Sequence, residues 1–349
     1  MSTMYSSMEM LQQSHNSSLS SIIKPTVLNP PFYHTSSPNL LAFISDKHLS
    51  LLAPILVYWL LSFTFHYLDN AQIPYFEARR IHESPETLAR NKATVLQVVK
   101  AVIFQQVVQT ALGVIWLESD DEILRREIMI DHLSKMAQLS PKVAKGVLLL
   151  LGPRSGESVL RSYGAELVQW TYWWGIPCAQ TLVAFFIVDT WQYFLHRAMH
   201  MNRFLYRNFH SVHHRLYVPY AFGALYNHPL EGFLLDTLGA AAAHSLTFMT
   251  VRQAIFLFTV STIKTVDDHC GYRLWWDPCQ MIFTNNADYH DIHHQAYGIK
   301  ANFSQPFFTN WDWLLSTQMS RDQASLKTRR PLPKSDATLP ARDLVSKLE

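Results

Sequence analysis

The pattern H-x-x-H-H occurs twice in the chain, as His210, His213 and His214 in HSVHH and as His290, His293 and His294 in HDIHH. His196 and His200 in HRAMH add a pair four residues apart, while His228 in YNHPLEG and His269 in DDHCGY stand singly. Neutral imidazoles are metal ligands, and helical spacing stacks position i above i+3 and i+4. Each triplet is therefore expected to aim its rings one way. One triplet alone says little. Two, with the pair and the two singles, point to metal, because ten crowded imidazoles without it would repel or lose solvation. A single zinc site takes three or four protein ligands, so this set suits two metals. All-imidazole ligation fits iron, zinc or copper alike. The Glu-x-x-His pairs of soluble di-iron bundles and the H-E-x-x-H of zinc proteases are both absent. Lone histidines such as His66, His82, His132 and His244 read as hydrogen-bonded or interfacial residues, and no role is assigned to His15, His34 and His48 in or near the tail.

Ligands this far apart in sequence need a scaffold that gathers them, and the apolar pattern indicates one. The chain has 349 residues, a net charge of +2, 10 Trp, 15 Tyr, 20 Phe and only 16% charged residues. That balance excludes a charge-driven nucleic-acid partner and suits contact with lipid, where indole and phenol rings settle at headgroup level. Cys178, Cys270 and Cys279 form no C-x-x-C motif and imply no disulfide framework. Residues 49–67 and 94–117 are expected spans, the second with Lys100 and several glutamines turned away from lipid. Residues 175–195 make a third, carrying Asp189, and residues 118–174 are expected to be surface helices.

The segment 232–266 is too long for one crossing and short for two, each of which takes roughly 20 residues. With Arg252 near its middle it reads as a helical hairpin that returns the chain to its starting face. His228 and His269 then stand at the feet of the hairpin, and all ten candidates gather on one side. Arg197, Arg203, Arg207 and Arg215, with no acid between His196 and Pro229, mark that side as cytosolic. Residues 1–46 read as a flexible Ser/Pro-rich tail without a signal peptide, and its sequon at Asn16 is usable if this end is luminal. The expected fold is an all-α integral membrane protein with about four transmembrane helices, including a short helical hairpin, under a cytosolic histidine-rich helical cap. Its expected divisions are the tail 1–46, membrane and surface helices 47–174, a catalytic domain 175–320 and a basic tail 321–349. Asp189, Glu231 and Asp268 are candidates to accept the second ring N–H of a ligating histidine.

These residues resemble the fatty acid hydroxylase and sterol desaturase superfamily of membrane non-haem di-iron enzymes. The resemblance rests on His196/His200, His210/His213/His214 and His290/His293/His294, on NHP at His228 and HCGY at His269, and on NFSQPFFTNWDWLLST at 302–317. It covers about residues 180–320. WQYFLHRAMH, YNHPLEG and VDDHCGYRLWWDP are similar to the sphinganine C4-hydroxylases within it. The resemblance implies two iron ions bound by the ten histidines, molecular oxygen, and sphinganine or dihydroceramide as lipid substrate. It also implies electrons from cytochrome b5 and its NAD(P)H-dependent reductase, and a place in the endoplasmic reticulum membrane. No His-Pro-Gly-Gly element of a fused cytochrome b5 is present, so that donor would be a separate protein. Ser304 stands where relatives often have Gly, with no mechanistic effect expected.

The unactivated methylene that the resemblance implies as target is beyond any side-chain acid, base or nucleophile, so metal and oxygen would have to supply the oxidising power. Spacing alone leaves open a desaturase, a sterol C4-methyl oxidase or a fatty acid 2-hydroxylase. It also leaves an intramembrane zinc hydrolase, which needs one metal, and a metal transporter, whose polar residues would spread along the spans.

Overall fold

The computed structural model describes residues 23–82 and 89–328. The Asn16 sequon, the start of the Ser/Pro-rich tail and the basic tail beyond residue 328 lie outside the described residues. Within them the architecture is helical, with isolated bridges in place of named strands.

Helix α1 is Asp46–Ala71 and α2 is Val95–Trp116. Their 26 and 22 residues give lengths of about 39 and 33 Å at 1.5 Å per residue, enough for a hydrocarbon core of about 30 Å. Of the polar residues inside α2, Gln105 and Gln106 turn inward and are buried, Gln106 accepting from the Trp59 indole at 3.0 Å, whereas Gln97 and Lys100 are exposed. Helix α3, His132–Trp170, runs through a π turn at Thr171–Gly175 into α4, Ile176–Met201. Among the described residues, three helical stretches, α1, α2 and His132–Met201, are long and apolar enough to cross a membrane.

The region 118–174 differs from the surface helices expected of it. Gly152, at φ 74°, breaks α3 into two arms, a conformation L side chains avoid, and Pro153 follows directly. The arms fold back on each other: Met136 and Ala144 pack with Leu160 and Val168, and His132 Nδ1 lies 2.8 Å from the Tyr172 hydroxyl. The sequence carries no clean apolar period here because both arms also pack laterally, Gly164 against Ile23 for instance.

The hairpin expected at 232–266 is present with unequal arms. A π turn at Phe233–Thr237 leads into α5, Leu238–Leu246, and α6 is Val251–Asp268. At nine residues α5 is about 14 Å long, too short to cross a bilayer. Phe248, at φ 54°, makes the reversal. Gln180 Nε2 donates to the Thr247 carbonyl at 2.9 Å, and Arg252 pairs with Asp46 at 2.7 Å, so the residue read as a turn marker also anchors the turn.

Contacts divide the chain into two units, residues 1–56, 109–187 and 240–260 in one and residues 57–108, 188–239 and 261–349 in the other. All ten candidate histidines belong to the second. Its core joins Tyr58, Val98 and Val102 to Leu216, Tyr220, Phe222, Cys270 and Tyr272. The segment after α1 is laced to the one after His269: Ile81 N–H donates to the Gly271 carbonyl and Arg273 N–H to the Arg79 carbonyl, both at 2.9 Å.

Candidate metal centre

Four pieces of backbone carry the site. The last turns of α4 present His196 and His200. The first triplet lies on a 3-10 turn, His210–Arg215, rather than an α-helix. His269 directly follows α6, and the second triplet lies on α7, Ala287–His294, capped by Asn286, whose side chain accepts from Tyr289 N–H at 3.0 Å. The 3-10 turn stops at Leu216, which is buried in the core and cannot continue outward as a helix would require.

The rings sort into two groups. His196, His200, His210, His214 and His293 form one, and His213, His269, His290 and His294 the other, with one nitrogen of each ring within 4.8 Å of those of its group. Neither triplet aims one way. Positions i and i+4 of the first triplet join the group of five while i+3 joins the four, and the second triplet does the reverse. Each triplet therefore bridges both groups.

Hydrogen bonds fix which ring nitrogen is bare. Nδ1 of His213, His269, His293 and His294 faces the carbonyls of Tyr226, Thr265, Ala301 and Leu216 at 2.7–3.1 Å, and Nδ1 of His196 faces that of Phe303 at 2.8 Å. Nδ1 of His210 faces the Glu231 carboxylate at 2.5 Å. Carbonyls only accept, so in His213, His269, His293 and His294 Nδ1 carries the proton and Nε2 of the neutral ring is a bare lone pair, whereas Nδ1 of His196 also lies 2.7 Å from the Gln305 side-chain nitrogen. Burial, the largest cause in each, holds the imidazolium pKa near 3 for His210, His269 and His293 and near 4 for His213, so these rings are neutral. Burial also pushes Glu231 up to about 7.

Yet the Nε2 atoms crowd together. They are 3.1 Å apart for His196 and His210, 2.7 Å for His200 and His210, 3.0 Å for His210 and His214, and 3.1 Å for His269 and His290. Two bare lone pairs at such distances repel. Metal–imidazole bonds of about 2.1 Å place neighbouring nitrogens about 3.0–3.4 Å apart. His293 Nε2 is buried with no hydrogen-bond partner among the described residues, a lone pair likewise awaiting a cation. The donor set fits metal ions at both groups.

His228 joins neither group. Its Nδ1 accepts from Leu230 N–H at 3.2 Å and its ring lies edge-on to Phe209, so it caps the helix that opens the hairpin. Of the three carboxylates named from sequence, Glu231 alone meets a candidate ligand. Asp268 instead pairs with the buried Lys264 and accepts from Asn285 at 3.1 Å. Asp189 accepts the backbone N–H of Phe307 at 3.0 Å and of Phe308 at 2.6 Å, tying the loop 302–308 to α4. Proximity in sequence misled for both, because other donors lay closer: the backbone of the loop 302–308 for Asp189, and Lys264 on the same helix for Asp268.

Asp312 was not foreseen. Fully buried, it accepts from Phe303 N–H at 3.0 Å, Ser304 N–H at 2.8 Å, the Tyr289 hydroxyl at 2.8 Å and the Thr317 hydroxyl at 2.6 Å. It thereby fixes the peptide whose carbonyl orients His196, and the neighbour of His290. A lone acid in the apolar run TNWDWLL was the available signal, since such a group must find donors.

Nine buried imidazoles form two groups, each of which could hold a metal ion, on a helical scaffold with membrane-length segments. A family model described as fatty acid hydroxylase matches residues 181–317. The chain is 45% identical to the sphingolipid C4-hydroxylase of Saccharomyces cerevisiae over 84% of its own length and 77% of that protein. It is 42% identical to sphinganine C4-monooxygenase 1 of Arabidopsis thaliana, covering 79% and 89%, and 38% identical to a very-long-chain aldehyde decarbonylase of Oryza sativa subsp. japonica, covering 79% and 90%. No solved structure matches the chain. The chain belongs to the fatty acid hydroxylase family and is an oxidoreductase of that family.

Proposed function

We propose that this protein is a membrane monooxygenase that hydroxylates a sphingoid long-chain base, sphinganine or dihydroceramide, at C4 to give phytosphingosine-type lipids. The nine grouped histidines would hold two iron ions. The observation that carries this reading is the pairing of two bare-nitrogen imidazole groups in a chain whose relatives are named for C4 hydroxylation. Bound iron would supply the oxygen-dependent redox chemistry that opens a C–H bond.

The chain's own residues prepare the site. The carbonyls of Tyr226, Thr265, Ala301 and Leu216 hold the Nδ1 protons, so the opposite nitrogens are presented to metal. Glu231 faces the same nitrogen of His210, and in its ionised form makes that ring a stronger donor. Burial keeps the rings neutral and water out. Asp189 and Asp312 hold the loop 302–308 at the back of His196.

Electrons would come from molecules outside the chain, cytochrome b5 and its reductase, with molecular oxygen as co-substrate. The arginines between His196 and Pro229 support a cytosolic catalytic face in the endoplasmic reticulum membrane, with residues 175–320 as the catalytic segment. The decarbonylase among the relatives favours a second reading, loss of a one-carbon unit from a fatty aldehyde. Expression in a host lacking C4 hydroxylation, followed by mass spectrometry of long-chain bases, separates the two. A base with one added oxygen located at C4 is expected; a shortened hydrocarbon without any hydroxylated base would refute the proposal.

A further inference from the structure

Hydroxylation by molecular oxygen adds one oxygen atom to the substrate and reduces the other to water, which takes two electrons and two protons from outside the chain. A donor is oxidised as those electrons leave it, and the site where it docks rests on the proposed hydroxylation. Electron tunnelling falls steeply with separation, so the donor has to reach surface that lies directly over the imidazole groups.

The link between His200 and His210 supplies such a surface. Asn202 caps the short helix Arg203–Asn208, its side chain accepting from Phe204 N–H at 2.9 Å. Tyr206 is the inward residue of this helix. Its ring centroid lies 5.6 Å from that of His200, 6.2 Å from His210 and 6.0 Å from His214, three members of the group of five. Arg203 and Arg207, one turn apart on the same helix, are exposed, and Phe204 between them is 65% exposed. Arg215, directly after His214, is exposed too, and its carbonyl receives the N–H of Lys92, a further exposed cation. The side chains of Arg203, Arg207 and Arg215 have no ion pair or hydrogen bond among the described residues. Unpaired arginines around an exposed aromatic ring are the side chains that protein-binding surfaces favour.

We propose that the face of the helix Arg203–Asn208 is the docking site of the electron-donor protein, which meets Arg203, Arg207 and Arg215 with carboxylates. Tyr206 spans from this contact to the rings of the group of five. Complementary charge speeds encounter more than it tightens binding, as suits a carrier that must leave once it has delivered its electron.

The test places the full-length, metal-loaded protein in nanodiscs of phosphatidylcholine alone and titrates it with the soluble haem domain of cytochrome b5. It reads the Kd for that domain and, with the reductase added, the KM for it. Wild type is expected to bind more weakly as salt is raised. Charge reversal in the double variant Arg203→Glu, Arg207→Glu is expected to raise both constants about tenfold at low salt. The difference from wild type is expected to shrink in high salt, with metal content unchanged. Product from a single turnover after reduction by dithionite is expected to match wild type, because that route bypasses the donor. The double variant Arg203→Lys, Arg207→Lys keeps the charge and is expected to keep most of the affinity. An unchanged Kd on charge reversal overturns the docking site and leaves the C4 reading intact. So does a loss seen only once anionic lipid is added to the nanodiscs, which would assign these arginines to lipid headgroups. Wild type that binds the domain as expected but makes no C4 product from sphinganine or dihydroceramide supports the docking site and overturns the C4 reading.

Discussion

The two imidazole groups are built from the same two triplets, yet they are not equivalent. The group of five draws His196 and His200 from α4 and has a carboxylate, Glu231, behind one ring. The group of four takes nothing from α4: it has His290 and His294 from α7 and His269 from the chain after α6, and carbonyls of Tyr226, Thr265 and Leu216 lie behind three of its rings. The difference lies in the donors: five buried imidazoles with a carboxylate behind one ring on one side, and four buried imidazoles backed by carbonyls on the other. The crossed triplets bind the two together, so neither can shift alone.

The largest expected effect comes from removing a donor where donors are fewest. His290→Ala leaves three imidazoles in its group, and is expected to abolish turnover and halve bound metal in a protein that still inserts in membranes. His293→Ala leaves four in the other group, and is expected to be inactive while retaining more metal than His290→Ala. Elemental analysis of the two purified variants side by side checks this; equal retention would remove the asymmetry. Next in size, Glu231→Gln takes the charge from behind His210 and is expected to lower kcat or metal affinity about 10–100-fold. A Glu231→Asp variant recovering part of the loss would separate charge from mere packing.

Asp312→Asn acts at one remove, through Phe303 on His196, and replaces an acceptor of four hydrogen bonds with a group that must donate. A loss of about 3–5 kcal/mol of stability is expected, read as a lowered thermal midpoint. The smallest effect belongs to His228→Ala. As a helix cap it is expected to cost about 1 kcal/mol with both metals retained. Loss of a metal in that variant would bring His228 back among the ligands.

Much of this site was legible in the sequence because ligand spacing is local: the three boxes, the singles and the hairpin that returns His269 could all be read from period and length. How the rings are shared was not. An i, i+3, i+4 pattern aims one way only on an α-helix, and whether HSVHH coils as α or 3-10 was decided by Leu216 entering the core. His228 shares the hairpin foot with the ligands, but its ring had a nearer task at Leu230 N–H. Asp189 and Asp268 carried the right signal, buried acids beside histidines, but acids bind whichever donors the fold delivers. Those were the Phe307 and Phe308 amides and Lys264. Asp312 lies far from His196 in sequence, and only the folded loop joins them. The hairpin arms of α3 escaped for a related reason: one glycine at positive φ decides the reversal, and composition does not announce it.

The account turns on bare nitrogens in each of two groups waiting for a cation. Inductively coupled plasma mass spectrometry of purified protein with measured C4-hydroxylating activity tests it most directly. Two iron atoms per polypeptide are predicted, falling together with activity on chelation and returning with ferrous iron. Full activity with a single metal atom per polypeptide would contradict it.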